Sequence, residues 1–274
     1  MRSKRVGYPY TLWMAIFVVI PLLMVIWYSF TDNETGAFTL ENFAYVVRSN
    51  IAGSYLDSLR ISLISTAICL VIAYPFSYLM TRTSVPAQKV INTLVMLPMW
   101  MNFILRICAW EIILRPNGIL DGVLSTLGFA GGAYQNGVYK SEAGIIIGIV
   151  YNFLPFMILP IYTTMAKIDK SLIEAGQDLG CSGFGVLKRV IFPLSIPGVI
   201  TGITMVFVPA ASTIVIGPRL GGFNMLGDTI EGYYKGQGAN MHVGSTLSLV
   251  LMIVILISIA VMNRFDNGED LAVV

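Results

Sequence analysis

Charged residues are scarce in this sequence, and their scarcity limits the environments in which the chain can fold. Asp, Glu, Lys and Arg make up 12% of the 274 residues, whereas hydrophobic residues make up 56%. Soluble domains usually carry about 25% charged residues. A chain this apolar cannot cover its surface with polar groups, so we predict that its solvent is a lipid bilayer. The net charge of +2 is too small to favour a nucleic-acid partner.

Residues that bind metals or catalyse reactions are also scarce. The single histidine, His242, is expected at a surface or membrane interface. The cysteines Cys69, Cys108 and Cys181 show no metal-ligand spacing and are predicted to be small apolar fillers. No nucleophile–base pair has a usable spacing, so we predict that the chain is not an enzyme. The string Gly-x-x-x-x-Gly-Lys-Ser/Thr is missing, so ATP must be bound by another polypeptide, and no cofactor is predicted for this chain.

Long uncharged stretches are what the sequence does contain. Five of them hold 20 or more residues without Asp, Glu, Lys or Arg, which is enough to cross the hydrocarbon of a bilayer. A sixth apolar segment contains Arg106 and Glu111. We therefore predict an all-α integral membrane protein, with the first helix uncleaved. The six transmembrane helices are predicted at about 8–30, 59–81, 90–114, 143–166, 197–217 and 245–263.

The distribution of basic residues predicts the orientation of these helices. Ten Lys and Arg residues fall on one side of the predicted spans and six fall on the other. By the positive-inside rule the side with ten is cytoplasmic. Both termini are then predicted to be cytoplasmic, with 265–274 as a tail, and the loop at 167–193 faces the cytoplasm.

That loop is predicted to form two short helices. Ser171-x-x-Glu174 reads as a capping box that begins the first helix. Gly180 can adopt the left-handed conformation that ends it. Ser182 can cap a second helix that extends to about Val190.

The flanks of the loop complete this prediction. Pro193 and Pro197 are expected to begin the fifth transmembrane helix, where a missing N–H is tolerated. One side of the first short helix is expected to be apolar and to fit a groove on a partner. Its members are Leu172, Ile173, Ala175 and Leu179.

The spacing within the loop carries a resemblance to a known family. Glu174-Ala175-Gly176 is followed after three residues by Gly180, and after nine more by Val190-Ile191-Phe192-Pro193. This pattern resembles the cytoplasmic EAA loop of ABC importer permeases, with Gly176 and Phe192 standing where the family usually has Ala and Leu. The resemblance implies the type I importer (MetI-like) fold. It implies a first helix and outer loop at 1–54 and a five-helix core at 55–264 that includes the coupling loop 167–193. The residues implied to contact a separate ATPase are Glu174, Ala175, Gly176, Gly180 and Pro193.

The third predicted helix places charged and aromatic groups at membrane depth, where such groups are costly and usually functional. Trp100 and Glu111 are predicted to share one face. Asn102, Arg106 and Trp110 are predicted to share another. Pro98 is expected to kink the helix near its cytoplasmic end, and Glu111 is expected close to the outer interface.

The same helix carries a second, narrower resemblance. The core Pro98-x-Trp100-x-Asn102-x-x-x-Arg106 and the stretch 148–157, which includes Tyr151, look like spermidine/putrescine permeases of the PotB type. The resemblance implies polyamine cargo in a bacterial cytoplasmic (inner) membrane. It also implies a PotC-like second permease, a PotA-like ATPase dimer that binds ATP, and a PotD-like extracytoplasmic polyamine-binding protein.

Carboxylates and aromatic faces suit an organic cation, so several residues are candidates for the substrate path. They are Trp100, Asn102, Arg106, Trp110, Glu111 and Tyr151. Glu111 is not part of the family pattern, and its role is inferred from chemistry alone. Arg106 would repel a polyamine, so we expect it to hold helix ends or to pair with a carboxylate. Interfacial anchoring of Trp110 and Glu111, and plain packing of Trp100, stay open as alternatives.

Two other functions also stay open at this point. The chain could be an ABC permease for another small solute, such as ferric ion, thiosulfate or phosphonate. It could instead be a secondary transporter or a membrane protein that transports nothing.

Three further features allow more than one interpretation. The motifs Gly144-x-x-x-Gly148 and Gly198-x-x-x-Gly202 are expected to allow close helix packing, with contacts to a second permease as the alternative. Outer-loop carboxylates, Asp228 among them, are expected either to dock the binding protein or to be solvated. The glycine-rich run at 217–238 is expected either to reach that protein or to be a flexible connector.

Overall fold

The computed structural model describes residues 8–49, 51–128, 137–236 and 239–266. All the regular elements in these ranges are helices, and an isolated bridge pairs Thr31 with Phe38. The α-helices are α1 Tyr8–Met14, α2 Ile20–Ser29, α3 Glu41–Arg48, α4 Ile51–Thr81, α5 Val85–Met96, α6 Phe103–Leu114, α7 Ile119–Thr126, α8 Glu142–Ala166, α9 Lys170–Asp178, α10 Gly183–Val186, α11 Phe192–Ala211, α12 Leu226–Lys235 and α13 Met241–Asp266. π-helical turns lie at Ala15–Val19, Leu187–Ile191 and Gly217–Gly221, and a 3₁₀ turn lies at Leu97–Trp100. Residues 267–274 of the predicted tail lie outside the described residues.

Five helical stretches of the described chain are long and apolar enough to cross a membrane. They are Leu12–Ser29, Gly53–Thr81, Glu142–Ala166, Gly183–Ala211 and Met241–Met262. A sixth crossing exists only if the two halves of a bent segment are counted as one span. The predicted all-α membrane fold is confirmed, with one of its six predicted spans broken.

The broken span is the third one. Its halves, Val85–Trp100 and Phe103–Thr126, meet at 90°. Pro98 lies in the 3₁₀ turn that ends the first half, and the side chain of Asn102 caps the second half by accepting the N–H of Ile104 at 2.9 Å. A single kinked helix was therefore the wrong prediction, because Asn102 begins a new helix. Trp100 and Glu111 consequently share no helix face.

Helix α8 is central and packs against α4 and α11 through small residues. A Cβ atom on Gly198 of α11 would come within 2.7 Å of the Pro160 carbonyl oxygen in α8. A Cβ atom on Gly148 of α8 would come within 2.4 Å of the Leu220 side chain. Both glycine motifs thus serve close packing within this chain, as predicted.

The fifth span begins earlier than predicted. From Gly183 the chain runs through α10 and the π-helical turn directly into α11, so no separate second short helix ends near Val190. Pro193 lies in the first turn of α11 and Pro197 lies inside it. The prediction is therefore confirmed for Pro193, which lies where a missing N–H is tolerated, and wrong for Pro197, and the apolar stretch as a whole begins at Gly183.

His242 connects the first and last spans. Its side chain is buried, with 8% of the residue exposed. Ring atom Nδ1 lies 2.6 Å from the Thr31 carbonyl oxygen and 3.0 Å from that of Tyr28. The expected surface position was therefore wrong, because these carbonyls at the end of α2 offer the ring a buried hydrogen-bond partner.

Candidate substrate path and coupling surface

Asp169 begins α9, the first helix of the predicted coupling loop. Its carboxylate accepts the backbone N–H of Ser171 at 3.0 Å. This backbone bond, followed by one from the Ser171 hydroxyl, lowers the pKa of Asp169. The predicted capping box at Ser171 and Glu174 is wrong, because Asp169 caps the helix two residues earlier and places both residues inside it.

Gly180 ends α9, as the sequence predicts. Its φ is +82°, and the N–H of Cys181 reaches back to the Gly176 carbonyl at 3.1 Å. This pairing satisfies a carbonyl that the helix end would otherwise leave free. Ser182 then caps α10 by accepting the N–H of Gly185 at 3.2 Å, which confirms the second predicted cap.

The predicted apolar side of α9 is divided between two surfaces. Ile173 packs inward, against the core between α8 and α11. Leu172 and Leu179 are exposed, and Leu179 is 87% exposed. Phe184, in α10, extends this outward surface and was missed from the sequence. The exposed apolar surface is therefore formed by Leu172, Leu179 and Phe184.

A polar cavity of about 680 Å³ lies beside α9. Glu174 and Lys170 line it from α9, and Arg82 lines it from the segment that follows α4. Gly176 is buried instead, where an added Cβ would come within 3.3 Å of Val190. The small residue at 176 therefore lets α9 lie close to the start of the fifth span.

Trp110 and Tyr151 form the contact between the broken span and the central helix. Their rings meet edge to face, with centroids 5.3 Å apart. Trp100 lies apart from this pair, at the corner of the broken span, and is 79% exposed. The structure thus brings together two of the three aromatic candidates and leaves the third as a projecting side chain.

Arg106 is buried on the inward side of α6, with 9% of the residue exposed. Its guanidinium lies over the Phe103 ring at 5.8 Å, and Nε and Nη1 have no hydrogen-bond partner among the described residues. The expected pairing with a carboxylate or with helix ends is therefore wrong within this part of the chain. The available carboxylate of α6, Glu111, is paired elsewhere.

Glu111 joins three segments that are distant in sequence. Its carboxylate lies 3.2 Å from Arg219 Nη1 and 3.7 Å from Lys140 Nζ. Lys140 also donates to the carbonyls of Pro218 and Arg219. Glu111 therefore ties α6 to the segment before α8 and to the turn Gly217–Gly221.

The glycine-rich run at 217–238 forms regular helical structure over most of its length, so the prediction of a flexible connector is wrong. It contains the turn Gly217–Gly221 and helix α12, although 237–238 lie outside the described residues. Asp228 of α12 is half-buried, so the prediction that its side chain is solvated is wrong. Its carboxylate accepts the N–H of Val215 at 2.6 Å and that of Met225 at 3.0 Å.

Helix α8 carries Tyr151 of the aromatic pair and ends shortly before α9 of the predicted coupling loop. Tyr151 and the last residue of α8, Ala166, are 15 positions apart, which corresponds to about 22 Å of α-helix. Helix α9 follows within four residues of that end.

Residues 2–266 match the family described as binding-protein-dependent transport system inner membrane component. The chain belongs to this family. It is thus the membrane permease component of an ABC importer, located in the inner membrane, and its family is one of transport components. This excludes the alternative of a secondary transporter or a membrane protein without transport function.

Two relatives are similar over most of their length. The spermidine/putrescine transport system permease protein PotB of Haemophilus influenzae is 35% identical over 262 residues, covering 93% of this chain and 91% of that protein. The protein of the same name from Escherichia coli K12 is 33% identical over 250 residues, covering 88% and 90%.

Solved structures share the fold. A bacterial ABC transporter that imports the acidic polysaccharide alginate has a chain with a TM-score of 0.74 at 15% identity, covering 97% of this chain and 94% of that one. The MetNI methionine ABC transporter gives a TM-score of 0.62 at 17% identity, covering 81% and 97%. These likenesses confirm the predicted type I importer fold.

Proposed function

We propose that this permease forms part of the translocation path for polyamines of the spermidine/putrescine class. The observation that carries the proposal is the similarity over about nine-tenths of the chain to permeases named for those substrates, 35% identical in one case. The aromatic pair Trp110–Tyr151 supports it, because ring faces attract organic ammonium groups. Ferric ion and thiosulfate have no comparable affinity for aromatic faces, so the pair favours polyamines over these cargoes.

The path residues divide into two roles in this proposal. Trp100, Trp110, Tyr151 and Glu111 contact the cation, and Glu111 shares its carboxylate between substrate and the two basic residues beside it. Asn102 and Arg106 shape the path instead. Asn102 is occupied as the cap of α6, and Arg106 carries a charge of the same sign as the substrate.

The coupling loop is proposed to receive mechanical input from the ATPase. Leu172, Leu179 and Phe184 offer an apolar surface that suits a groove on that partner. The residues proposed to form or hold the contact are Glu174, Ala175, Gly176, Gly180 and Pro193. In this proposal ATP is bound by a PotA-like dimer, and this chain binds no cofactor.

The remaining architecture follows the same proposal. A PotC-like permease completes the membrane unit, and a PotD-like protein delivers the polyamine from outside. Both termini are cytoplasmic. Residues 1–54 form the first helix and outer loop, 55–264 form the core, and 265–274 form the tail.

Uptake in cells tests this function. The chain is produced with its ATPase, second permease and binding protein in bacteria that lack their own polyamine uptake, and labelled spermidine and putrescine are supplied. We expect saturable uptake that unlabelled polyamine suppresses and that ferric ion or thiosulfate leaves unchanged. An assembled complex that takes up no polyamine contradicts the proposal.

A matched pair of variants tests the coupling loop in the same cells. Glu174→Gln removes a carboxylate proposed to act in coupling, whereas Asp178→Asn removes an exposed carboxylate one turn further along α9. We expect uptake to fall in the first variant and to persist in the second, with both complexes assembled. Equal uptake in the two variants would remove Glu174 from the coupling role.

A further inference from the structure

Val215 adopts a backbone conformation that its side chain opposes. Its φ is +80°, in the left-handed region. β-Branched residues rarely adopt this region because the side chain collides with the backbone, and such strain persists only where the surroundings impose it. Val215 lies in the break between α11, which ends at Ala211, and the turn Gly217–Gly221.

One carboxylate bonds both flanks of that turn. The two oxygens of Asp228 accept backbone N–H groups on opposite sides of it: Oδ1 takes that of Val215 at 2.6 Å, and Oδ2 takes that of Met225 at 3.0 Å. Glycine permits the close approach, because a Cβ on Gly217 would come within 2.9 Å of Asp228 Oδ2. A Cβ on Gly227 would likewise come within 2.3 Å of the Thr213 carbonyl oxygen.

The turn held in this way meets two other helices. Leu220 lies against Gly148 of α8, and its carbonyl oxygen would be 2.7 Å from a Cβ on Gly144. Arg219, on the same turn, reaches the carboxylate of Glu111 in α6. The position of the turn therefore decides whether the ion pair to α6 can form, and α6 is the helix that carries Trp110.

We propose that Asp228 is a positioning residue that holds the turn in its strained form and so keeps Arg219 paired with Glu111. The Asp228 carboxylate accepts two backbone N–H groups at the break that follows α11. The strained backbone of Val215 is tolerated because Asp228 accepts the Val215 N–H. The inference rests on the proposed transport function, because holding α6 matters through the aromatic pair that the helix carries.

The test combines removal of the carboxylate with relief of the strain. Asp228→Ala is made alone and together with Val215→Gly, which adopts a positive φ without steric cost. Val215→Asn serves as a second relieving variant, since Asn tolerates the left-handed region and keeps a side chain. The matched control is Glu231→Ala, one turn further along α12, whose carboxylate bonds to the exposed Lys235.

Polyamine uptake and the thermal unfolding midpoint are measured on the complete transporter. We expect Asp228→Ala to lower uptake at least about tenfold and to lower the midpoint, because two partly buried N–H groups lose their acceptor. Adding Val215→Gly or Val215→Asn is expected to restore uptake to within about threefold of the parent, because Gly and Asn hold the turn's conformation without the full strain. Glu231→Ala is expected to behave as the parent in both measurements.

Two results would overturn the proposal. One is an Asp228→Ala transporter with the uptake and midpoint of the Glu231→Ala control. The other is an assembled Asp228→Ala transporter that neither relieving variant improves, which assigns Asp228 a general packing role. If Asp228→Ala does not assemble, Asp228→Asn replaces it with the same comparisons. If the parent transporter takes up no polyamine, the proposed function fails. The role of Asp228 is then still decided by whether the Val215 variants restore the unfolding midpoint that Asp228→Ala lowers.

Discussion

The indole of Trp110 meets the phenol ring of Tyr151 edge to face, with 5.3 Å between the ring centroids. Trp110 lies in the second half of a broken span, and Tyr151 lies in the central helix α8. Since α8 leads directly to α9, this contact joins the proposed substrate path to the proposed coupling surface. In the proposed function, helix α8 would therefore carry both a substrate-path residue and the connection to the coupling loop.

Replacing Trp110 tests its contact with the substrate. We expect Trp110→Leu to raise the KM for spermidine uptake about 2- to 30-fold, because a cation–π contact contributes about 0.5–2 kcal/mol. The measurement is the concentration dependence of uptake by the assembled transporter. Trp27→Leu, an exposed tryptophan on α2, is the control and should leave KM unchanged. Equal shifts in both variants would show that Trp110 has no special contact.

Gly180 provides a test of the coupling helix. Gly180→Ala places an L side chain at φ +82°, where nothing within 4 Å obstructs the Cβ, so the penalty is backbone strain of about 1–2 kcal/mol. We expect spermidine-stimulated ATP hydrolysis to fall several-fold. Gly183→Ala, also in open space but without a positive φ, should keep the parent rate. A Gly180→Ala transporter with unchanged stimulation would show that the left-handed turn is not needed for coupling.

Gly198 tests the packing of α11 on α8. A Cβ at this position would lie 2.7 Å from a backbone oxygen, so we expect Gly198→Ala to destabilise the chain by about 1–3 kcal/mol. The thermal unfolding midpoint in detergent measures this effect. The control is Gly122→Ala in α7, where the Cβ meets nothing within 4 Å and alanine favours a helix. A midpoint for Gly198→Ala at or above that of the control contradicts the packing.

Glu111 tests the contribution of its two ion pairs. The three side chains are partly exposed, so we expect Glu111→Gln to reduce stability by only about 1 kcal/mol. The loss should shrink when unfolding is measured in about 1 M salt, because salt screens such pairs. Glu231→Gln breaks a more exposed pair and should change the midpoint less. A larger loss at high salt than at low salt would rule out an electrostatic role.

Asp228 should make stability depend on pH. Burial raises the pKa of Asp228, and the neighbouring Glu231 adds to this, whereas the N–H groups of Val215 and Met225 lower it. Since the net shift is upward, folding favours the protonated form, and the stability that comes from this preference is complete below the ordinary pKa of a carboxyl group and is lost as pH rises through the raised pKa. The unfolding midpoint of the parent relative to Asp228→Asn should therefore decline as pH rises above the ordinary pKa of a carboxyl group, about 4. Parallel profiles would contradict the shift.

Local chemistry explains where the sequence predictions succeeded. Gly180 and Ser182 act on backbone groups within a few residues, so their roles could be predicted without knowledge of the fold. The capping prediction at Ser171 was wrong because Asp169, two residues earlier, competes for the same role. The helix that begins at Asn102 had a visible signal, since Asn followed by an apolar run is typical of a helix start. Because one continuous helix was predicted at about 90–114, no helix start was assigned to Asn102.

The sequence by itself determined the membrane environment, the helical class and the local roles of Gly180 and Ser182, because composition and capping act locally. The tertiary structure alone decided that Glu111 pairs with Arg219, 108 residues away, and that Arg106 is buried with no carboxylate partner among the described residues. It also decided that Val215 is strained and bound by Asp228. The physical reason is that these contacts depend on where the turn after α11 lies against α6 and α8. Packing of the whole chain fixes that position, and no short stretch of sequence encodes it.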